Sequence, residues 1–224
     1  MRAHALNLVG KKRRTMMRLG IAVTILTGLM FVTACNDPAA DTSRARTGEA
    51  AQASPPTVAG QKYVITPQNS KVEFVGSKVT GSHNGSFQKF SGEIDYAGAP
   101  EKSRVSITID ASSINADDPK LTEHLKTPDF FDVAKFPDAK FVSTEIKAGG
   151  ERGASHTVTG NLTMHGLTKS VTFPATIAVS ADLASVDANF SINRKDFGIN
   201  YAGAADNLIR DDVVIKLTIR GTKT

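Results

Sequence analysis

"TVTGNLTMHGLTKSVTF", residues 157–173, carries the pattern that decides the fold. Val158, Leu162 and Met164 share one parity, and Val171, Phe173 and Ile177 resume it beyond "HGLTK". Alternation with a period of two marks a half-buried strand, because successive side chains leave a strand on opposite faces. The intervening "HGLTK" is a turn signal centred on a glycine. The stretch reads as two neighbouring strands joined by a short turn.

The same period runs outward in both directions. Val72 and Phe74 alternate with Lys71 and Glu73, while Phe90, Ile94 and Tyr96 keep one parity, as do Val105, Ile107 and Ile109. Val186 and Phe190 follow, then Val213, Ile215, Leu217 and Ile219, and a strand starting near Phe141 completes a set of eight. "YAGAPEK" and "KAGGERG" punctuate them as turns. Only one stretch reads as helix, roughly 119–126. There Asp118 can cap, Pro119 suits the first position, and Leu121 and Leu125 stand i, i+4.

These elements predict an all-β, eight-stranded antiparallel barrel, since closure removes exposed edges. Periodicity alone also admits a two-sheet sandwich. In the barrel, Phe74, Phe90, Val105, Ile107, Leu162, Met164, Phe173, Phe190, Ile215 and Leu217 face inward. Lys71, Glu73, Glu93, Arg104 and Lys216 face outward. Eight strands enclose a space that side chains can just fill, or that holds one small ligand.

A second stretch is out of character. "PDFFDVAKFPDAKF", 128–141, follows the helix and places Phe130, Phe131, Phe136 and Phe141 in a connector, in a chain of eleven Phe and no Trp. Pro128 and Pro137 exclude a long helix or a central strand there. Connectors are normally polar, so these rings are expected to cover one mouth of the barrel. In an extended segment Phe130 and Phe131 would face opposite ways, one toward an internal slot and one onto the rim. Ordinary core packing would use the same rings.

Charge and cysteine content narrow the function. The formal charge of +5 comes from the leader: residues 1–34 hold six basic residues and no acid, leaving 21 basic against 22 acidic in the rest. Nucleic acid is therefore not an expected partner. A basic region ending at Arg18 and an apolar run from Leu19 to Ala34 have the zones of an export signal. "VTAC" ends that run and resembles a lipobox, so Cys35 is expected to be lipidated as the mature N-terminus. It is the only cysteine, which leaves neither a disulfide nor a cysteine nucleophile. Residues 36–60 contain one bulky aliphatic residue and read as a disordered tether, spanning roughly 25–30 Å. The organisation is then a lipoprotein signal peptide (1–34), a lipidated Cys with its tether (35–60) and a barrel domain (61–224).

Catalytic signals are missing from the motifs. His83, His124, His156 and His165 show no short metal-ligand spacing, and Asp110, Asp117 and Asp118 suit capping at a strand end and a helix start. No enzymatic activity and no metal are expected.

"GNLTMHGLTKSV" now identifies a likeness. Gly160, Leu162, Thr163, Gly166, Thr168, Lys169 and Val171 fit the G-x-L-T-x-x-G-x-T-K-x-V signature of YceI-like proteins. "SKVEFVGSKV", "HLKTPDFFDVAKFPDAKFVST" and "INRKDFGIN...DDVVIKLTI" agree in order. The chain resembles this family over about 63–221. The resemblance implies a lipocalin-like barrel, exported to the periplasm, that binds a long isoprenoid chain of polyprenyl or quinone type in its interior. No other cofactor is implied, and a homodimer is left open. The apolar lining would come from Phe74, Phe90, Ile107, Leu121, Leu125, Phe130, Phe131, Phe136, Phe141, Leu162, Met164, Phe173 and Phe190. In "INRKDFG", Arg194 or Lys195 would reach a polar or pyrophosphate head group, unless the charges simply pair within a solvated turn. The expected role is carriage or buffering of the lipid by a membrane-anchored lipoprotein; the alternative is a solid-core interaction module of the envelope.

Overall fold

The computed structural model describes residues 37–52, 60–205 and 207–224; Cys35, the leader and residues 53–59 of the expected tether lie outside them. In chain order the strands are β1 (Ser43–Arg44), β2 (Arg46–Glu49), β3 (Gln61–Ile65), β4 (Lys71–Lys78), β5 (Gly81–Phe87), β6 (Phe90–Tyr96), β7 (Arg104–Asp110) and β8 (Ile114–Ala116). Helix α1 (Pro119–Leu125) follows. Then come β9 (Asp138–Ala148), β10 (His156–Met164), β11 (Leu167–Val179), β12 (Leu183–Asn193), β13 (Gly203–Ala204), β14 (Asn207–Leu208) and β15 (Asp212–Lys223).

The hairpin of 157–173 forms as the alternation requires. Val158 pairs with Phe173 and Met164 with Leu167, so His165 and Gly166 alone make the turn. Both have positive φ, 52° and 77°, the type I′ geometry that matches the twist of the flanking strands. The Phe136 ring also lies where a Cβ on Gly166 would stand. Upstream, Phe141 lies over Gly160, so a Cβ there would collide with the ring. Two signature glycines thus have packing reasons.

β3, β6, β7, β9, β10, β11, β12 and β15 form a closed cycle of eight, each antiparallel to its neighbours. The membership differs from the expected set in one place. β15 pairs with β3 through Gly221–Lys223 and with β4 through Val214–Thr218. β4 therefore continues into a side flap, β4–β5–β8. The sequence pattern overlooked β5, "GSHNGSF", because Gly and Ser display no apolar parity. The alternating directions gather α1, the 128–137 connector, the turns at 79–80 and 165–166 and the 194–211 loop at one end, the mouth. The turns at 97–103, 149–155 and 180–182 lie at the other end.

The expected parity holds. Phe90, Ile107, Met164, Phe173 and Phe190 are buried; Phe74, Val105, Leu162, Ile215 and Leu217 are half-buried against the core. Lys71, Glu93 and Lys216 are exposed, with Glu73 and Arg104 intermediate. Val75 and Val214, paired on the opposite face, are buried as well.

The disordered tether is corrected. β11 and β12 pair only between Thr176–Val179 and Ala184–Asp187 and then diverge. The N-terminal segment enters that seam: β1 pairs parallel with Phe190–Ser191, and β2 pairs antiparallel with Lys169–Thr172. Side-chain bonds reinforce it, from Thr47 Oγ1 to Asp196 (2.6 Å) and between Asn161 and the Ala51 backbone (2.6 and 2.9 Å). Composition argues for disorder when a segment must bury its own apolar surface. This one instead completes backbone hydrogen bonds that the open seam would leave unmade.

Candidate functional site

Two apolar hollows lie in line between the barrel interior and the mouth. The inner one, about 110 Å³, is lined only by apolar side chains, including Ile107, Phe141, Leu162, Met164, Phe173 and Phe190. Phe173 and Phe190 stack there with centroids 4.2 Å apart. Leu162 and Ile215, both half-buried, border this void, and Leu217 borders both it and an outer depression. The outer hollow is a groove of about 300 Å³ under α1, walled by Phe74, Leu121, Leu125, Phe130, Tyr201 and Ile209. An aromatic partition separates the two: Phe74 of the groove packs on Phe87 of the inner cavity at 6.0 Å, and Phe131 meets Phe87 edge-on at 5.7 Å.

Larger depressions of about 480 and 510 Å³ lie on the outer surface. Charged and polar side chains dominate their walls, among them Glu73, Asp187, Lys216 and Asp211. An apolar ligand would leave those groups desolvated and unpaired, so these depressions are unsuited to it.

The connector is a series of tight turns. The N–H of Phe130 donates to Thr127 O and that of Phe131 to Leu125 O, and Asp132 has φ 44°. The two rings still diverge, as a strand would have sent them. Phe130 is buried against His124 and Tyr201 in the groove wall (centroids 5.0 and 5.3 Å), while Phe131 reaches Phe87.

Polar groups at the groove are few. His83 Nδ1 lies 2.8 Å from Asp117 Oδ1, and His124 Nε2 lies 2.8 Å from Asp129 Oδ2. The Asn84 backbone N–H, and then His83, hold the Asp117 carboxyl below its ordinary pKa. Ser77 Oγ, on the groove wall, is buried and has no hydrogen-bond partner. These groups can hydrogen-bond a polar end of a ligand. Among the described residues, no three His, Cys, Asp or Glu side chains converge as a metal site.

Five expected site residues are corrected. Arg194 is 4% exposed, and its guanidinium donates to the carbonyls of Ile199 (2.8 Å), Arg210 (3.1 Å) and Ile209 (3.4 Å) and to Asp211 (3.3 Å). Burial lowers its pKa and Asp211 opposes the shift. With its donors directed into the fold, Arg194 clamps the 199–211 loop and is not presented to a head group. Lys195 pairs with Asp211 at 3.0 Å and borders the outer depression, not the mouth groove. Phe131 and Phe136 line neither hollow; Phe131 packs on Phe87 in the partition, and Phe136 on His165 at 4.9 Å beneath Lys135. Phe90 belongs to a second apolar cluster with Tyr63, Ile65 and Ile94. Leu121, Leu125, Phe130 and Phe74 line the groove, and six of the other expected residues line the inner cavity. Sequence reasoning missed Phe87, Tyr201, Ile209 and His83 as site residues. Phe87 and His83 sit in the Gly/Ser-rich β5, and Tyr201 and Ile209 in the loop that Arg194 fixes, where no periodicity marks them.

Residues 63–221 match the YceI-like domain. The chain is 37% identical over 140 residues to a UPF0312 protein of Pseudomonas putida, covering 59% of this chain and 72% of that one. It is 32% identical over 164 residues to the UPF0312 protein of Pseudomonas syringae pv. tomato, covering 69% and 84%. BcnA of Burkholderia cenocepacia superposes with a TM-score of 0.62 at 28% identity, over 70% of this chain and 98% of that one. A polyisoprenoid binding domain from Saccharophagus degradans, implicated in plant cell wall breakdown, superposes with a TM-score of 0.58 at 18% identity, over 73% and 99%; that likeness speaks for the fold alone. β1 and β2 lie outside the matched residues. With the signature hairpin, the aromatic connector and the closed eight-stranded barrel all in place over the matched span, the chain belongs to the YceI-like family.

Proposed function

We propose that this protein binds a long-chain isoprenoid lipid, of polyprenyl or quinone type, with its tail in the barrel interior, and carries or buffers it at the bacterial envelope without chemical turnover. The observation that carries this reading is the all-apolar inner cavity, separated from an apolar mouth groove by the Phe74–Phe87–Phe131 partition. A domain of the same fold in Saccharophagus degradans is named for polyisoprenoid binding, so the fold can house that ligand class.

Size constrains the mechanism. Ligand pockets run to about 300–1,000 Å³, and the inner cavity holds about 110 Å³. Loading a long tail therefore requires Phe74, Phe87 and Phe131 to swing aside, joining groove and cavity. Burying one five-carbon isoprene unit from water is worth about 3–4 kcal/mol. In a bilayer the tail is already out of water, so exchange between membrane and barrel is close to neutral. That balance suits a carrier. Selectivity then falls to shape and to the few polar groups lining the groove: Ser77, Lys78, His83 and His124.

The export signal and the VTAC run support a mature protein anchored through lipidated Cys35 and facing the periplasm. Organic extraction of protein purified from membranes, with mass spectrometry of both lipid and N-terminus, tests the whole proposal. Recovery of a polyprenoid on a diacylglyceryl-Cys35 protein is expected. The small inner volume also favours a second reading, a solid-core module without ligand, and a barrel with no lipid to extract would establish that one instead.

A further inference from the structure

The N-terminal segment limits where a membrane can lie. Asp37 forms an ion pair with Arg210 at 3.1 Å, and from there the chain turns through Ala40 and Thr42 into β1 and β2. Asp37 stands two residues after Cys35. At about 3.3–3.6 Å per residue, a lipid on Cys35 begins within about 7 Å of the Asp37 backbone. The expected tether contributes almost no reach. Asp37 also shares one surface groove with Ala202, Leu208, Ile209 and Arg210, part of the loop that forms the rim of the mouth.

The exposed large hydrophobic side chains concentrate at that end. Five large hydrophobic side chains are exposed among the described residues, and four belong to the mouth end: Val79 (52%), Leu208 (51%), Leu167 (43%) and Tyr201 (36%). The Val79 N–H donates to Leu208 O at 3.2 Å, and Tyr201 packs on Phe130 at the groove. Leu167 follows the His165–Gly166 turn and lies beside Gly198. The fifth, Leu183, is at the far end. Single exposed apolar residues need no explanation. Four around an apolar opening, beside the start of an anchor, match the way peripheral proteins seat side chains at the headgroup–acyl boundary. Among the described residues no helix is long and apolar enough to cross a membrane.

We infer that the mouth end of the barrel rests on the bilayer, with Val79, Leu167, Tyr201 and Leu208 in its interfacial layer, so that an isoprenoid passes from membrane to groove without crossing water. The inference rests on the reading of Cys35 as lipidated. Without such docking, a tail leaving the bilayer would be exposed to water before reaching Phe74. With it, the apolar path is continuous from acyl chains to Leu121 and Phe130.

The experiment uses the full chain, matured in bacterial membranes and reconstituted into phosphatidylethanolamine–phosphatidylglycerol vesicles. A lipidated Cys35 has no free thiol, so L208C, V79C and L183C each accept one environment-sensitive fluorophore. Quenching by nitroxide-labelled lipid is expected to be several-fold stronger at 79 and 208 than at 183, with the reverse order for aqueous iodide. The V79D/L208D double variant should take up a fluorescent polyprenol from vesicles several-fold more slowly and from detergent micelles at an unchanged rate. Protein that floats with vesicles and carries the Cys35 lipid, yet shows equal iodide quenching at all three sites, overturns the docking and leaves the anchor standing. Equal slowing of uptake from vesicles and micelles overturns the water-free route. An unmodified N-terminus with no flotation overturns anchor and docking together.

Discussion

Phe87→Ala separates a barrel that opens from one that is merely packed. Phe87 borders the inner cavity and touches both Phe74 and Phe131. In a filled core, truncating Phe to Ala costs about 3–5 kcal/mol, through lost transfer energy and a new cavity. Here the ring is half-buried and already faces a void on one side. The transfer loss is therefore about half that of a fully buried ring, or ~1–1.5 kcal/mol. The cavity contribution is small, because the removed ring adds to an existing hollow. For a domain of this length, each kcal/mol moves Tm by about 2–4 °C, so a fall of about 2–6 °C is expected. Removing the central ring of the partition is expected to open the hollows to each other, and together they offer about 410 Å³, within the range of ordinary ligand pockets. Delipidated wild type and variant should be melted side by side, since bound lipid raises apparent stability by mass action. The rate of uptake of a fluorescent polyprenol should then be measured, and the variant should load faster. A Tm loss above ~10 °C with unchanged uptake would show that Phe87 is plain core and that no gate lies between groove and cavity.

Arg194→Lys should destabilise by about 2–4 kcal/mol, because a lysine cannot reproduce the fork that serves the Ile199 and Arg210 carbonyls. Hydrogen exchange should rise across the 199–211 loop while β10 stays protected; unchanged exchange in the loop would count against the clamp. Deleting residues 37–52 should lower the urea midpoint and leave the edges of β11 and β12 open to self-association, visible by light scattering; a monomer of unchanged stability would show that the seam needs no filling. The Asp117 carboxyl is held below its ordinary pKa by the Asn84 N–H and then by His83. A depressed folded-state pKa gives stability that is complete above the ordinary carboxylate value and is lost as pH falls through the folded-state value. Asp117→Asn should therefore shrink the loss of Tm on acidification, modestly since the group is exposed; an identical acid slope in both proteins would rule out this contribution.

What the sequence determined by itself is what local periodicity and local sterics encode. The parity of Val158, Leu162 and Met164 against Val171 and Phe173 set the inward face of the signature hairpin, and the structure keeps that register. Asp118 and Pro119 set the start of α1, where the Asp118 carboxylate accepts the Leu121 N–H at 2.8 Å. These signals are legible because a strand face or a helix cap is decided within a few residues.

Tertiary structure decided what depends on partners far along the chain. Arg194 reads as an available cation in "INRKDFG", yet three carbonyls from residues 199, 209 and 210 take up its donors, and no local pattern announces them. Residues 43–49 read as linker because they have almost no apolar surface, but β11 and β12 diverge and offer unpaired backbone on both sides. Phe87 and His83 join the site from a glycine-rich strand placed by pairing with β4 and β8. Backbone hydrogen bonding is indifferent to side-chain identity, so a segment that folds to complete someone else's sheet leaves little trace in its own composition.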